Sequence, residues 1–458
     1  MRNRIFTLLG SVVILAGCTV GPDFVRPTIP MKDTFHAEVS ARDSIANLPW
    51  WELFGDPVLQ ELVSEALENN RDLRSSMARI DEARARTGIA RSEMYPNVDV
   101  YAGAAEGGFG GRNVQPDDFT VQFLANYQVD LWGRIRRSNE AAVQDLLSTE
   151  EAYRSVTIAL VAQVASTYFL LRDVDNRLLV SEQTAATWKH DLNAIRARYN
   201  AGLVSEVEVN QAEIQLADAD AMVWTFQRIR GQTENTINLL LSKGPETIVR
   251  GLALSEQITT PEIPAGLPSE LLDRRPDLRR AERDLHAQTA RIGVAEALRF
   301  PSLNLGADLG AVFAGETDEF SGIGAMLAAP IFNAGKNKRQ VEIEVARTEQ
   351  LLNLYEQSFF TALREVEDAI IAVNTFREEF EIRKSQLRSA QNAAELSWIR
   401  YQAGTTNYLE VLDVQRSLFS TQLATSETLQ RQLSSMVQLY EALGGGWSPA
   451  VSEFTTKH

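Results

Sequence analysis

Cysteine and histidine are almost absent from this chain of 458 residues. Cys18 is the one cysteine, so no disulfide can form within the chain and any thiol chemistry must occur there. The four histidines, at positions 36, 190, 286 and 458, are scattered without the spacing of metal ligands. The sequence also lacks a nucleophile elbow, a phosphate-binding loop and a paired-acid cleft. We therefore expect no catalytic residues, no metal site and no enzymatic activity.

Basic residues are too few to balance the acids, because 45 Lys and Arg stand against 61 Asp and Glu, a net charge of −16. Loss of residues 1–17, which contain Arg2 and Arg4 and no acid, would make it −18 (43 − 61). Phosphate contacts need a basic surface, so we expect no nucleic-acid partner. After residue 17 no apolar run reaches 18 residues, and we expect no transmembrane helix.

Residues 1–17 have the features of a secretory signal peptide. Arg2 and Arg4 precede a short apolar stretch, and small residues stand before Cys18. Leu15-Ala16-Gly17-Cys18 resembles the lipobox of bacterial lipoproteins, which implies cleavage before Cys18 and acylation of that residue. An ordinary signal peptide followed by a chance cysteine is the alternative.

We expect residues 18–57 to form an extended, lipid-anchored segment. Thr19 occupies the position at which Asp would indicate retention at the inner membrane in such lipoproteins. Several acyl chains hold a protein stably on a membrane, whereas one holds it only marginally. We expect no cofactor. The non-protein group on the chain would be the covalent lipid on Cys18.

The chain is a tandem duplication. Asp72-Leu73 is matched by Asp277-Leu278 at an offset of 205, and RYNAG at 198–202 is matched by RYQAG at 400–404 at an offset of 202. The predicted organisation is listed here in chain order: repeat 1 at 58–250, a Pro- and Thr-rich linker at 251–268, repeat 2 at 269–446 and a tail at 447–458.

Each repeat contains a tract of 68 residues without Gly or Pro, Arg134–Ala201 and Lys336–Ala403. A fully helical tract of this length would extend about 100 Å at ~1.5 Å per residue. Gly202 and Gly404 directly follow these two tracts, and a second Gly- and Pro-poor helix follows each glycine. Apolar residues spaced three and four apart predict packing of helix on helix. We expect two antiparallel helical hairpins, which turn at 202 and 404.

Between the helices, alternation of apolar and polar residues predicts strands. Phe119–Trp132 and Leu303–Phe313 are apolar on one face and largely polar or glycine on the other. Val98–Phe109 and Ile323–Phe332 alternate more weakly. These lengths suit membrane strands, which need ~9–11 residues and separate lipid from a wet lumen.

The strands would form two hairpins, at 98–131 and 303–332, with polar turns at Gly110–Asp118 and Ala314–Glu319. Four strands cannot close a barrel, and open sheet edges are not tolerated in lipid. If the hairpins enter a membrane, several chains must share one barrel. The alternative is a pair of ordinary hairpins on a soluble core.

Several motifs in order resemble the TolC-type outer-membrane factors, specifically the lipoprotein branch of resistance-nodulation-division efflux systems. They are LAGCTVGPDF after the signal, LPWWELFGDPVLQELVSEALENNRDL at 48–73, VDLWGRIRR at 129–137, LLDRRPDLRRAE at 271–282 and the two RYxAG turns. The resemblance implies an α+β membrane protein that forms a homotrimer. Four strands from each protomer would build a twelve-stranded β-barrel in outer-membrane lipid, and the helices a periplasmic α-barrel. A periplasmic adaptor and an inner-membrane pump would complete the exporter.

Within this resemblance, Asn407–Leu418 matches the narrowest part of the tunnel. Leu409 and Asp413 match the apolar and acidic constriction residues of lipoprotein members, and Glu410 with Asp413 matches the paired acids of other members. Glu410 and Asp413 share a helix face, so threefold symmetry would bring six carboxylates toward one axis. Crowded carboxylates repel, bind cations or hold protons.

The first repeat has Glu208 and Gln211 at the equivalent positions, so we expect the second hairpin to line the gate and the first to lie outside it. The alternative is that Glu410 and Asp413 are solvated helix acids. In that case Asp413 would pair with Arg416, three residues on, for about 0.3 kcal/mol.

Tyr401 resembles a tyrosine that braces the gate in this family, but Thr406 stands where some members have its arginine partner. The turns match the tips at which adaptors dock, through the residues Gly202, Leu203, Gly404 and Thr405. Glycine at these turns is also explained by backbone geometry alone.

The resemblance implies the exit duct of a tripartite efflux or export system in the outer membrane, with a long periplasmic extension. Two alternatives remain: a lipid-anchored periplasmic scaffold without a pore, and the outer-membrane component of type I protein secretion. The exported cargo is not encoded in this chain, since the pump selects it in such systems.

Overall fold

The computed structural model describes residues 19–30, 55–104, 107–109, 112–114, 119–257, 271–314 and 316–445. The expected signal peptide, Cys18, most of the linker and the tail at 447–458 lie outside the described residues. The chain forms two compact units. Unit 1 contains Met77–Tyr153, Asp277–Ser358 and the described residues before Met31, and unit 2 contains the remainder.

Three pairs of corresponding helices in the two repeats have equal lengths, whereas the first helices differ. In chain order the helices are α1 (Pro57–Asn69), α2 (Arg71–Ser92), α3 (Arg134–Asn200), α4 (Glu206–Leu240), α5 (Leu271–Arg274), α6 (Pro276–Ala297), α7 (Lys336–Gln402) and α8 (Tyr408–Ala442). α2 and α6 have 22 residues each, α3 and α7 have 67, and α4 and α8 have 35. The helix bounds therefore keep the same offsets, 205 and 202, that the sequence motifs show.

Unit 1 contains an antiparallel sheet. Its strands are β1 (Asn97–Ala104), β4 (Phe119–Val129), β5 (Ser302–Ala314) and β6 (Glu316–Ala328), in the order β1-β4-β5-β6. A separate small hairpin joins β2 (Gly107–Phe109) to β3 (Arg112–Val114). β1 and β6 form the two edges of the four-stranded sheet, so each has one side without a partner strand among the described residues.

The strand register places apolar side chains on one face of the sheet. Val100, Phe123 and Leu309 pair across adjacent strands and are 60%, 50% and 60% exposed. The next row, on the opposite face, contains Asp99 and Asp308. An exposed apolar face backed by a polar face is typical of a sheet between lipid and water, as the sequence predicts.

Several predicted strand limits were wrong. The last strand, predicted at 323–332, spans Glu316–Ala328, and the polar residues expected to form its turn are paired in the sheet, with Ala314 opposite Glu316. Hydrogen bonding between the backbones of two strands does not require apolar side chains. The polar side chains of these residues therefore indicated a turn where the structure has a strand. The strand ends before Pro330, which has no N–H to donate.

The other differences have local causes. The strand predicted at 98–109 is divided into β1 and β2, and the expected loop at 110–118 contains β3. β4 ends at Val129 rather than Trp132, because the Asp130 carboxylate accepts hydrogen bonds from the backbone N–H groups of Ile135 and Arg136 at 3.1 and 3.0 Å. That contact starts α3.

The segment 19–30 has no regular structure but is fixed against unit 1. Val20 N–H donates to the Trp132 carbonyl at 3.1 Å, and the Phe24 ring stacks on His286 at 4.5 Å. A Cβ on Gly21 would lie 2.4 Å from the Gly293 Cα, so these two backbones touch. Arg26 forms an ion pair with Glu282 at 2.9 Å.

Unit 2 contains the two helical hairpins. Gly202 and Gly404 have φ values of +73° and +70°, which glycine adopts without steric cost. The core of this unit includes Trp188 packed edge-on against Phe419 at 5.4 Å. Asp56, which is fully buried, caps α1.

One helix in the described part of the chain, α3, is long and apolar enough to cross a membrane by length and composition. Somewhat less than half of its most apolar stretch is buried. The sequence predicted no such helix, because charges interrupt the run. Val161, Val164 and Tyr168 of α3 are buried within unit 2, so packing accounts for this apolar character.

Candidate functional site at the hairpin tips

The tip of the second hairpin is a tight turn. Gly404 N–H donates to the Tyr401 carbonyl at 3.0 Å, and Thr405 N–H donates to the Arg400 carbonyl at 2.9 Å. These bonds close the end of α7, which would otherwise leave its last carbonyls unpaired. Asn407 then starts α8 by accepting a bond from Glu410 N–H at 3.0 Å.

Glu410 is engaged within this turn. Its carboxylate forms an ion pair with the Arg400 guanidinium at 2.7 Å, and the Thr406 hydroxyl donates to its second oxygen. Both partners precede it in the chain, so Glu410 ties the end of α7 to the start of α8. Thr406, which stands where some family members have the arginine partner of the tyrosine, thus contacts Glu410 rather than Tyr401.

Leu409 and Asp413 are the exposed members of the predicted gate. Leu409 is 58% exposed, and Asp413, one helical turn further, is also exposed. Within the described residues no ion pair joins Asp413 to Arg416, although the sequence offered that pairing as an alternative. The structure therefore separates the three residues, with Glu410 bound inside the turn and Leu409 and Asp413 facing outward.

Tyr401 is buried at the contact between the two hairpins. Its hydroxyl donates to the Glu208 carboxylate of α4 at 3.2 Å, and the Arg198 guanidinium of α3 lies 4.6 Å from the centre of its ring. Tyr408 packs on the other side at 5.4 Å. Burial, and then the charge of Glu208, raise the pKa of Tyr401, so the phenol stays neutral and remains a donor.

The sequence did not predict this contact. Thr406 stands where some family members have an arginine. In this structure Arg198 of the first repeat instead places a cation over the Tyr401 ring. Glu208 was assigned to a hairpin outside the gate, but it binds a residue of the second hairpin directly. The duplication gave one indication that Arg198 and Glu208 matter at the tip, because they are the equivalents of Arg400 and Glu410.

A second polar contact crosses unit 2 further along the hairpins. The Gln415 amide of α8 donates to Asp191 of α3 at 3.0 Å, and Gln215 of α4 donates to the Gln415 carbonyl oxygen at 3.1 Å. Burial raises the pKa of Asp191. Three helices are thereby joined by a chain of two side-chain hydrogen bonds.

The two tips differ in surface chemistry. At the first tip Leu203 is 69% exposed and Val207 is 61% exposed, whereas Thr405 is the equivalent of Leu203 at the second tip. Gly202 and Gly404 each have open space where a Cβ would lie. Both turns are therefore accessible in this chain. Among the described residues, no group of three or more His, Cys, Asp or Glu could hold a metal ion.

A family model described as outer membrane efflux protein matches residues 62–243 and 267–445. The chain belongs to this family. The match falls in two segments, one for each copy of the duplicated unit, and omits the linker between them. The family consists of transport components, which agrees with the channel architecture expected from the sequence.

Relatives and solved structures are similar to this protein along nearly its whole chain. The probable efflux pump outer membrane protein TtgC of Pseudomonas putida is 34% identical over 98% of this chain and 96% of its own. The cation efflux system protein CusC of Escherichia coli is 32% identical over 94% and 96%. The open state of the Neisseria gonorrhoeae MtrE outer membrane channel superposes with a TM-score of 0.86 at 30% identity, covering 94% of this chain and 98% of that one.

These findings establish the function at the level of the family. The protein is an outer-membrane exit channel of an efflux system. Its chain contains long helical hairpins and an antiparallel sheet. By their names, the relatives are an efflux pump outer membrane protein and a component of a cation efflux system.

Proposed function

We propose that Leu409 and Asp413 close this exit channel at the tip of the second hairpin. Their exposure supports the proposal, since a constriction needs side chains that extend away from their own chain. In a trimer with threefold symmetry, three copies of each residue would approach one axis. Leucines would exclude water there, and the three carboxylates would attract cations and repel one another.

Glu410 has a supporting role in this proposal. Its bonds to Arg400 and Thr406 hold the turn, and they neutralise its charge locally. The gate therefore has three free carboxylates rather than the six that the sequence suggested. Tyr401 holds the second hairpin against the first through Glu208 and Arg198, so opening requires that this contact loosen.

The anchor and the partners form the second part of the proposal. Acylation of Cys18 would place lipid next to Thr19, whose Cα lies 3.0 Å from where a Cβ on Gly133 would be, so the anchor would be held close to unit 1. Palmitate labelling that persists in Cys18→Ser would contradict this.

Adaptor docking at Gly202, Leu203, Gly404 and Thr405 is supported by the exposure of both tips. A resistance-nodulation-division pump at the inner membrane would supply the cargo.

The gate is tested by single-channel conductance of the purified trimer in planar bilayers. Asp413→Asn should weaken block by divalent cations several-fold, because it removes three of the charges that bind them. Asp220→Asn is the matched control, since Asp220 is an exposed acid further along α4. Equal block in the wild type and Asp413→Asn would remove Asp413 from the gate. A trimer without any conductance, even with Asp413 neutralised, would instead favour the scaffold.

A further inference from the structure

A cavity of about 510 Å³ lies in unit 1 where three helix–strand junctions meet. The junctions join β4 to α3, α6 to β5 and β6 to α7. The Trp132 ring at the cavity stacks on Phe300 at 4.7 Å, and its indole N–H donates to the Pro301 carbonyl at 2.8 Å. One wall of this junction cavity is therefore apolar, and contacts between the two repeats fix its shape.

Two cations flank the junction cavity without a counter-charge. Arg299 stands between Leu298 and Phe300, which both line the cavity. Asn337, which follows Lys336 at the start of α7, donates to the Leu298 carbonyl at 2.5 Å. Arg299 and Lys336 are both exposed, and within the part of the chain that the structure describes neither forms an ion pair or a side-chain hydrogen bond. Both charges are therefore available to a ligand.

Three acids near the junction cavity have contacts of their own. These are Asp130 with Arg136 at 3.2 Å, Glu93 with Arg134 at 3.4 Å, and Glu296 with the N-terminal segment, 3.7 Å from where a Cβ on Gly21 would lie. The ion pairs of Asp130 and Glu93 neutralise their charges locally. In a chain with a net charge of −16, the two flanking cations thus form a local positive patch.

The exposed apolar face of the sheet ends beside the junction cavity. Leu303 pairs with Val129 and Leu327 in the row of this face nearest the helices, and Leu327 is 66% exposed. Beyond that row Ile331 and Phe332 are 97% and 88% exposed. In an outer-membrane protein such a face lies against lipid, and cations at its edge lie at the level of the headgroups.

We propose that the junction cavity binds one anionic phospholipid of the outer membrane, with its phosphate between Arg299 and Lys336 and its glycerol against Trp132 and Phe300. The phosphate is the charge that the two cations lack, and the acyl chains continue onto the apolar face of the sheet. The covalent lipid expected on Cys18 is a poorer match, because its acyl and glyceryl groups have no phosphate. The bound phospholipid would tie three junctions together and hold the sheet at a fixed depth in the membrane.

Lipid titration of the delipidated, full-length protein in detergent tests the site. Dioleoylphosphatidylglycerol is the probe, and native mass spectrometry counts the molecules bound to each chain. The wild type should bind one. Arg299→Gln combined with Lys336→Gln should weaken binding about 10- to 30-fold, because each cation near a membrane surface contributes roughly fivefold to the binding of an anionic lipid. Arg299→Lys combined with Lys336→Arg keeps both charges and should bind as the wild type does.

The matched control combines Lys189→Gln with Arg388→Gln. It also removes one lysine and one arginine, both exposed and without an ion pair among the described residues, but from the helical hairpins of unit 2. The control should bind the probe as tightly as the wild type. Equal losses in the test pair and the control pair, or no loss in the test pair, would overturn the inference.

Two competitors identify the ligand on the wild-type protein without any substitution. Dioleoylglycerol lacks the phosphate and glycerol 3-phosphate lacks the acyl chains, so neither should displace the probe. Displacement by dioleoylglycerol would show that the cations do not hold the ligand, and displacement by glycerol 3-phosphate would indicate a site for a free anion. An additional bound probe molecule in Cys18→Ser would show that the chain's own lipid fills the cavity. Each of these three results would overturn the inference.

Discussion

The two copies of the duplicated unit have the same backbone plan and different side-chain roles. The long helices and their return helices match in length, and both turns use glycine at positive φ. Yet Tyr199 at the first tip is 42% exposed, whereas its equivalent Tyr401 is 5% exposed between the hairpins. The duplication preserved lengths and turns, and divergence of a few side chains left the tyrosine exposed at one tip and buried at the other.

The same comparison holds for the short helices of unit 1. Most residues of α6 are buried or half-buried, whereas most residues of α2 are exposed. Three pairs of matched substitutions test this comparison, because each pair changes equivalent residues in the two copies.

The largest difference is expected between Gly293→Ala and Gly88→Ala. A Cβ at Gly293 would lie 2.7 Å from the Val20 carbonyl oxygen and 2.9 Å from Arg137 Cγ, so the added methyl should destabilise unit 1 by about 1–3 kcal/mol. The same change at Gly88 meets open space and should stabilise α2 by up to ~1 kcal/mol. Thermal unfolding of both variants measures the difference, and equal melting temperatures would contradict the assigned crowding.

An intermediate difference is expected between Tyr401→Phe and Tyr199→Phe. Loss of the hydroxyl at Tyr401 removes its bond to the Glu208 carboxylate, and bonds to charged groups contribute about 1.5–3 kcal/mol. The channel should open more often in bilayer recordings. Tyr199→Phe should behave as the wild type. Indistinguishable open probabilities for the two variants would show that Tyr401 does not brace the tip.

The smallest difference is expected between Asn407→Ala and Ser205→Ala. Asn407 caps α8 through Glu410 N–H, and such a cap contributes about 1 kcal/mol. Ser205 occupies the equivalent position before α4 but makes no side-chain cap bond. Chemical denaturation should therefore detect the first substitution and not the second. A clear loss of stability in Ser205→Ala would mean that the two caps work alike.

Much of the architecture was predictable from residue patterns. The helical tracts free of Gly and Pro, the glycine turns and the alternation in Phe119–Val129 each follow from local backbone and side-chain preferences. Strand ends were less predictable. At Glu316–Ala328 polar residues join the sheet because their neighbours across it offer backbone partners, which a single strand cannot reveal.

The candidate site shows the same division. Leu409, Glu410 and Asp413 could be selected from the motif, and Glu410 and Asp413 could be assigned to one helix face. Their separation into a bound acid and an exposed acid could not be predicted, because it depends on the Arg400 and Thr406 side chains across the turn.

The duplication, the lengths of the long helices and the positions of both turns follow from the amino-acid sequence alone, because they depend on residues close together in the chain. The contacts of Arg198 and Glu208 with Tyr401 are known only from the folded chain, since they join residues about 200 positions apart. Their energy arises from burial and charge at close range, and neither exists until the hairpins pack.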